Sequence, residues 1–114
     1  MREKTKITHA GRHPEDNHGI VNPPVYHAST ILFPTVSDLE KAVTSSDPEF
    51  VRYGRRGTPT TFAFQDAVAA IEESFGCFAF PSGLAAITAP LLAYLSPGDH
   101  LLMVDSVYGP TRKF

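Results

Sequence analysis

Between Cys77 and Val104 two short apolar runs flank a longer one, and the breaks between them are turn formers. Cys77-Phe78-Ala79-Phe80 has the length of a strand, Pro81-Ser82-Gly83 turns the chain, and Leu84 to Leu95 has the length and apolar content of a buried helix. After Pro97-Gly98-Asp99 comes a second strand-like run, His100 to Val104, and then a loop from Asp105 to Gly109. Such unbroken apolarity suits strands covered on both faces, so the pattern predicts a strand, helix, strand unit of an α/β core. Pro90 is expected to kink the helix or make it irregular, because proline lacks an N–H and crowds the preceding turn. Ligands of such sheets gather beyond the carboxyl ends of the strands, where Ser82-Gly83 and Tyr108 would lie.

Upstream, Thr58 reads as an N-cap and Pro59 as the first residue of a helix. Phe64, Ala67, Val68, Ile71 and Phe75 would share its buried face, with Asp66, Glu72 and Glu73 largely elsewhere and Gly76 as the left-handed stop. Ser37, with Glu40 three residues later, has capping-box spacing for a shorter helix ending near Ser45-Ser46-Asp47-Pro48. Residues 1 to 35 hold Pro14, Pro23, Pro24 and Pro34 and little periodicity, which predicts an extended arm. An arm of this kind cannot offset its own ordering entropy, so it must lie on its own domain or embrace another subunit. The expected division is residues 1–57 as arm and connecting loop, and 58–114 as the start of the α/β domain.

Composition narrows the function classes. A length of 114 residues fits one small domain or the opening of a larger enzyme. With 42% hydrophobic residues and a formal charge of -2, the chain lacks the basic excess that nucleic-acid binding needs. Leu84 to Leu95 is too short to cross a bilayer, and no membrane partner is expected. The single cysteine, Cys77, has no internal disulfide partner, and Met1-Arg2-Glu3-Lys4 does not open a signal peptide, so the expected location is the cytoplasm.

Three places carry chemistry. At Ser82-Gly83 a strand-to-helix turn offers backbone N–H groups and the positive helix end to an anion, although a serine there can serve purely as an N-cap. In Tyr53-Gly54-Arg55-Arg56-Gly57, two guanidiniums and a phenol share one loop; the Arg fork suits a phosphate, but an ordinary solvated basic loop reads the same way. Tyr108 offers a flat ring for stacking a heteroaromatic, or is a rim tyrosine with a wet hydroxyl. His9, His13, His18, His27 and His100 fall in no zinc spacing and are expected to be polar or packing residues, with no metal site. Cys77 reads as a small buried hydrophobe.

Thr8-His9-Ala10-Gly11, Asn22-Pro23-Pro24-Val25, Tyr53-Gly54-Arg55-Arg56-Gly57-Thr58, Phe80-Pro81-Ser82-Gly83 and Tyr108-Gly109 occur in an order that resembles the Cys/Met-metabolism family of pyridoxal-phosphate enzymes. Within it, Tyr-Gly-Arg-Arg-Gly-Thr resembles the cystathionine β-lyase branch more than the γ-lyases and γ-synthases, which remain the alternatives together with methionine γ-lyase. The resemblance implies the start of a fold type I, aspartate-aminotransferase-like large domain preceded by an extended arm. It implies pyridoxal 5'-phosphate as cofactor, with Ser82, Gly83 and Leu84 around its phosphate, and Tyr108 stacked on the pyridine ring. Tyr53 and Arg55 would reach the phosphate of a neighbouring subunit's cofactor, and Tyr53 would accept a proton from the substrate amine. The implied substrate is a small sulfur amino acid, and the implied assembly a homotetramer with sites shared across each dimer. The family's cofactor-anchoring lysine and its pyridine-nitrogen aspartate fall beyond Phe114 in the pattern, and Lys113 is not expected to stand in for either. A non-catalytic assembly module is therefore the other class of reading for these residues. Residues 1–114 alone are expected to be inactive and to keep no pyridoxal-phosphate absorbance through dialysis; a borohydride-reducible adduct on Lys113 would contradict that.

Overall fold

The computed structural model describes residues 3–114. The chain forms two compact units, the first running to Phe78 and the second from Ala79 to Phe114.

In the first unit the amino-terminal segment is not extended throughout, as its prolines suggested. Glu3–His9 form helix α1, with Glu3 in the first turn and Lys6 and His9 in the last, the arrangement that complements a helix dipole. Pro14–Asn17 form a 3-10 turn, with proline at its start and left-handed His18 at its end. α1 packs on α3, Pro59–Ile71, and Lys6 Nζ lies 2.7 Å from Glu73 Oε1 just past the end of α3. The arm is fastened again at Thr60, whose Oγ1 accepts from the Tyr26 N–H at 2.8 Å and donates to the Pro24 carbonyl at 2.9 Å. Of the two placements open to the arm, the described residues therefore show it lying on its own unit.

Helix α2 spans Val36–Thr44 and its N-cap is Thr35, not Ser37. The Asp38 N–H donates to Thr35 Oγ1 at 3.1 Å, and that hydroxyl donates back to Asp38 Oδ2 at 2.7 Å. Asp38 thus stands at the third helical position that a cap needs, and Ser37 becomes an interior residue of the first turn. After α2, Arg52 is spent on backbone: its guanidinium donates to the carbonyls of Ser45 at 3.3 Å and Asp47 at 2.9 Å.

α3 starts where the sequence predicts, at Thr58-Pro59, but buries a different face and ends sooner. Phe62 is 7% exposed and, with Ala42, forms the buried apolar core of the described residues, whereas Phe64 and Ile71 are exposed. Phe62 and Phe64 sit about 200° apart around a helix. The Phe62 side faces the arm, lining a cleft of about 370 Å³ with Pro24, Tyr26, Glu49 and Asp66. The stop falls at Glu72, four residues before Gly76. Glu73 takes the left-handed position at φ 53, and the Ser74 N–H reaches back to the Ala69 carbonyl at 3.0 Å, which is a Schellman closure. The Lys6 hydrogen bond and charge hold the Glu73 carboxyl below its ordinary range.

In the second unit Ser82 Oγ accepts from the Ala85 N–H at 3.2 Å and opens α4, Gly83–Tyr94. Pro90 lies inside α4 without ending it. Asp99 closes the following turn, with its Oδ2 accepting from the Ser96 N–H at 2.7 Å. A last short helix, α5, Gly109–Lys113, packs on α4. Arg112 hydrogen-bonds the Asp105 carbonyl and lies 3.3 Å from its Oδ1, tying the loop between.

The runs expected to be buried strands, Cys77 to Phe80 and His100 to Val104, carry no ladder. Among the described residues the only strand-type pairing is the antiparallel bridge of Thr30 with Tyr53. A strand exists only through its neighbours' hydrogen bonds, and neither run meets one here. Phe78, Phe80, Leu101, Leu102, Met103 and Val104 are accordingly exposed, and Cys77 is half-buried. No helix among the described residues is long and apolar enough to cross a membrane.

Two tests follow from these contacts. Thr35→Ala should cost about 1 kcal/mol of helix stability, read as faster amide exchange over α2, with Thr35→Ser restoring it and Ser37→Ala leaving it unchanged. Partial desolvation, then repulsion from Asp66 and Asp47, raise the Glu49 carboxyl above its ordinary range against the pull of His13. The folded state then holds that proton more tightly than the unfolded one, so stability falls as pH rises through the carboxylate range and stays lower above it. Glu49→Gln should raise the denaturation midpoint at neutral pH and leave it unchanged in strong acid.

Candidate functional site

The Tyr53 loop is built from the backbone outward. Tyr53 is extended, and Gly54–Arg56 form a 3-10 turn that closes at Gly57, with the Gly57 N–H donating to the Gly54 carbonyl at 3.2 Å. Gly57 sits at φ 122, which an L side chain rarely adopts, and a Cβ there would run into the Phe62 ring. Gly54 is required for another reason: a Cβ would collide with the Ala28 carbonyl. The turn brings Tyr53 and Arg55 together, with the guanidinium carbon 5.7 Å from the ring centroid, inside cation–π range. Tyr53 is 38% exposed, and Arg55 and Arg56 are exposed, so this loop presents a phenol and two permanent cations to whatever approaches it.

In the second unit Ser82, Gly83 and Leu84 occupy the amino terminus of α4. The first N–H groups of a helix have no acceptor within it. Ser82 Oγ answers that of Ala85, which leaves the Gly83 and Leu84 N–H groups as the outward donors of an exposed helix end. An anion is the natural ligand of such a terminus. Tyr108 stands just before α5, where its carbonyl accepts from the Thr111 and Arg112 N–H groups at 2.9 and 3.2 Å. Tyr108 as a whole is 61% exposed. Lys113 lies in the last turn of α5.

Elsewhere, His13, Glu15 and Asp16 each bring one ligand-type atom within 4.8 Å of the others, all at exposed positions. His13 Nδ1 is 3.5 Å from Glu15 Oε1. An exposed cluster of this kind is common on solvated surfaces and defines no site by itself.

Sequence reasoning missed the residues that hold the Tyr53 loop in place. Ser29 Oγ donates to Tyr53 Oη at 3.2 Å, and the Gly54 N–H donates to the Ser29 carbonyl at 2.7 Å. The only local signal was a Ser29-Thr30 pair ahead of the apolar patch Ile31-Leu32-Phe33, which by itself names no partner.

Comparison with known proteins bears on the chain as a whole. The model of the Cys/Met metabolism PLP-dependent enzyme family matches residues 4–114. A candidate cystathionine beta-lyase of Rhizobium johnstonii is 52% identical over 110 residues, 96% of this chain and 26% of the relative. The cystathionine beta-lyase of Haemophilus influenzae is 39% identical over 110 residues, covering 96% of this chain and 28% of its own. A cystathionine gamma-synthase of Mycobacterium bovis is 38% identical over 107 residues, 94% of this chain and 26% of the relative. The chain thus spans little more than a quarter of the length of these curated relatives. With the family model matched from residue 4 to the last residue, the chain belongs to the Cys/Met metabolism PLP-dependent enzymes.

Proposed function

We propose that this chain is the amino-terminal part of a pyridoxal-phosphate-dependent carbon–sulfur lyase that splits cystathionine into homocysteine, pyruvate and ammonia. The reading rests on one observation above the others: a family match over residues 4–114 in which relatives named cystathionine beta-lyase stand at 52% and 39% identity. The gamma-synthase relative at 38% favours, as the second reading, a family member that acts at the γ-carbon. Product analysis of the complete enzyme with cystathionine separates them, since pyruvate marks the β-lyase. In domain terms, residues 1–57 are the arm and intersubunit loop, and 58–114 open the fold type I α/β domain. The enzyme works in the cytoplasm as a homotetramer whose active sites are shared across each dimer.

The residues present fit the cofactor. The outward N–H groups of Gly83 and Leu84, with Ser82 as cap, suit its phosphate, and the ring of the exposed Tyr108 suits a flat pyridine. Arg55 supplies a charged fork to the phosphate of the neighbouring subunit's cofactor, and Tyr53 reaches the same phosphate and, as its phenolate, takes the proton of the incoming amine to become the phenol. Bound there, pyridoxal phosphate supplies the electron sink that lets an α-proton and then a β-thiol leave. The chain's own task is to hold that ring and phosphate and to place the Tyr53 oxygen beside the amine.

Arg55→Ala should weaken cofactor retention by the partner subunit's site. Loss of one charge-assisted phosphate contact costs about 1.5 to 3 kcal/mol, or roughly ten- to a hundredfold in affinity. The decisive measurement uses dimers of one Arg55→Ala subunit and one subunit mutated at the cofactor-anchoring lysine. A shared site gives one site with both groups intact and one with neither, hence recovery of up to half the wild-type activity. No recovery in verified mixed dimers would refute the placement of Arg55 across the interface.

A further inference from the structure

A backbone tie and a side-chain tie join the arm to the Tyr53 loop, and they do different work. In the first, the Gly54 N–H donates to the Ser29 carbonyl at 2.7 Å as part of the antiparallel bridge of Thr30 with Tyr53. That tie is indifferent to the side chain at position 29. The second is not: Ser29 Oγ donates to Tyr53 Oη at 3.2 Å. Arg55 approaches the ring face, with its guanidinium carbon 5.7 Å from the centroid, so the ring plane is held from one side while the phenol oxygen is held by Ser29.

We propose that Ser29 is a positioning residue for the Tyr53 oxygen, an inference that rests on the proton-accepting role given to Tyr53 above. A phenolate oxygen, the form that accepts a proton, carries no hydrogen and offers lone pairs in several directions. A serine hydroxyl fixed beside it occupies one of those directions and leaves the remainder for the amine. At 3.2 Å the contact exceeds the usual O–H···O distance. Hydrogen bonds to ionised acceptors are shorter and roughly twice as strong, so this contact has room to tighten. Ser29 is itself exposed, so changing its side chain leaves the backbone tie in place.

The test is steady-state kinetics of the complete enzyme as wild type, Ser29→Ala, Tyr53→Phe and the double variant, with Ser29→Thr as the conservative control. Ser29→Ala should lower kcat roughly five- to thirtyfold with little change in KM, the range expected when one coupled contact is lost. Ser29→Thr should restore the rate, and Ser29→Ala should add no further loss in the Tyr53→Phe background. Should Ser29→Ala not fold, Ser29→Cys, similar in size but a weak donor, carries the same expectation. An unchanged kcat in a protein whose Tyr53→Phe variant is crippled overturns the role of Ser29 alone. Equal fold-losses in both backgrounds overturn it too, because Ser29 would then act without Tyr53. A fully active Tyr53→Phe enzyme instead removes the role of Tyr53, and that of Ser29 with it.

Discussion

The Thr60 hydroxyl decides where the amino-terminal segment lies. A proline-interrupted segment has few backbone donors and makes no ladder of its own, so its course is fixed by whatever it is fastened to. Thr60 fastens it twice with one oxygen, accepting from the Tyr26 N–H and donating to the Pro24 carbonyl. Each bond contributes a net 0.5 to 1.5 kcal/mol, roughly. That is modest as stability, yet it sets register, since one hydroxyl held from both sides allows no slippage. Two residues beyond Tyr26 the chain reaches Ala28, and the stretch to Thr30 meets Tyr53 and Gly54.

What could be read in the sequence was largely what depends on near neighbours. Ser82 opens α4 because its side-chain cap acts over three residues, and Pro59 opens α3 because its fixed φ suits the first helical position, with no capping hydrogen bond from the Thr58 side chain. The same locality explains the miss at Ser37: Thr35 lies two residues earlier and has Asp38 at the spacing a cap needs. The inward face of α3 was a different kind of question. Its periodicity pointed to the Phe64 face, whereas the arm lies on the Phe62 side and makes that the buried one. The strand-like runs fail for a related reason, since apolar content selects a strand only where another strand stands beside it.

The candidate site divides along the same line. Tyr53, Arg55, Ser82, Gly83 and Tyr108 were visible as motifs in an order that resembles a known family's. Ser29 and Thr60 were not, because the groups they hold are 24 residues away for Ser29, and 34 and 36 residues away for Thr60. A hydroxyl in an unpatterned segment announces neither its partner nor its purpose.

The loop between Tyr53 and Thr58 has little freedom to drift. Gly54 is closed to any side chain by the Ala28 carbonyl, and Gly57 by its backbone angle and the Phe62 ring. The chain's path is therefore written in two positions that accept nothing larger than hydrogen, while Arg55 and Arg56 between them are exposed. Within this loop only the inner pair has room for a different side chain, so its chemistry can change there by a single codon while the course of the backbone stays fixed.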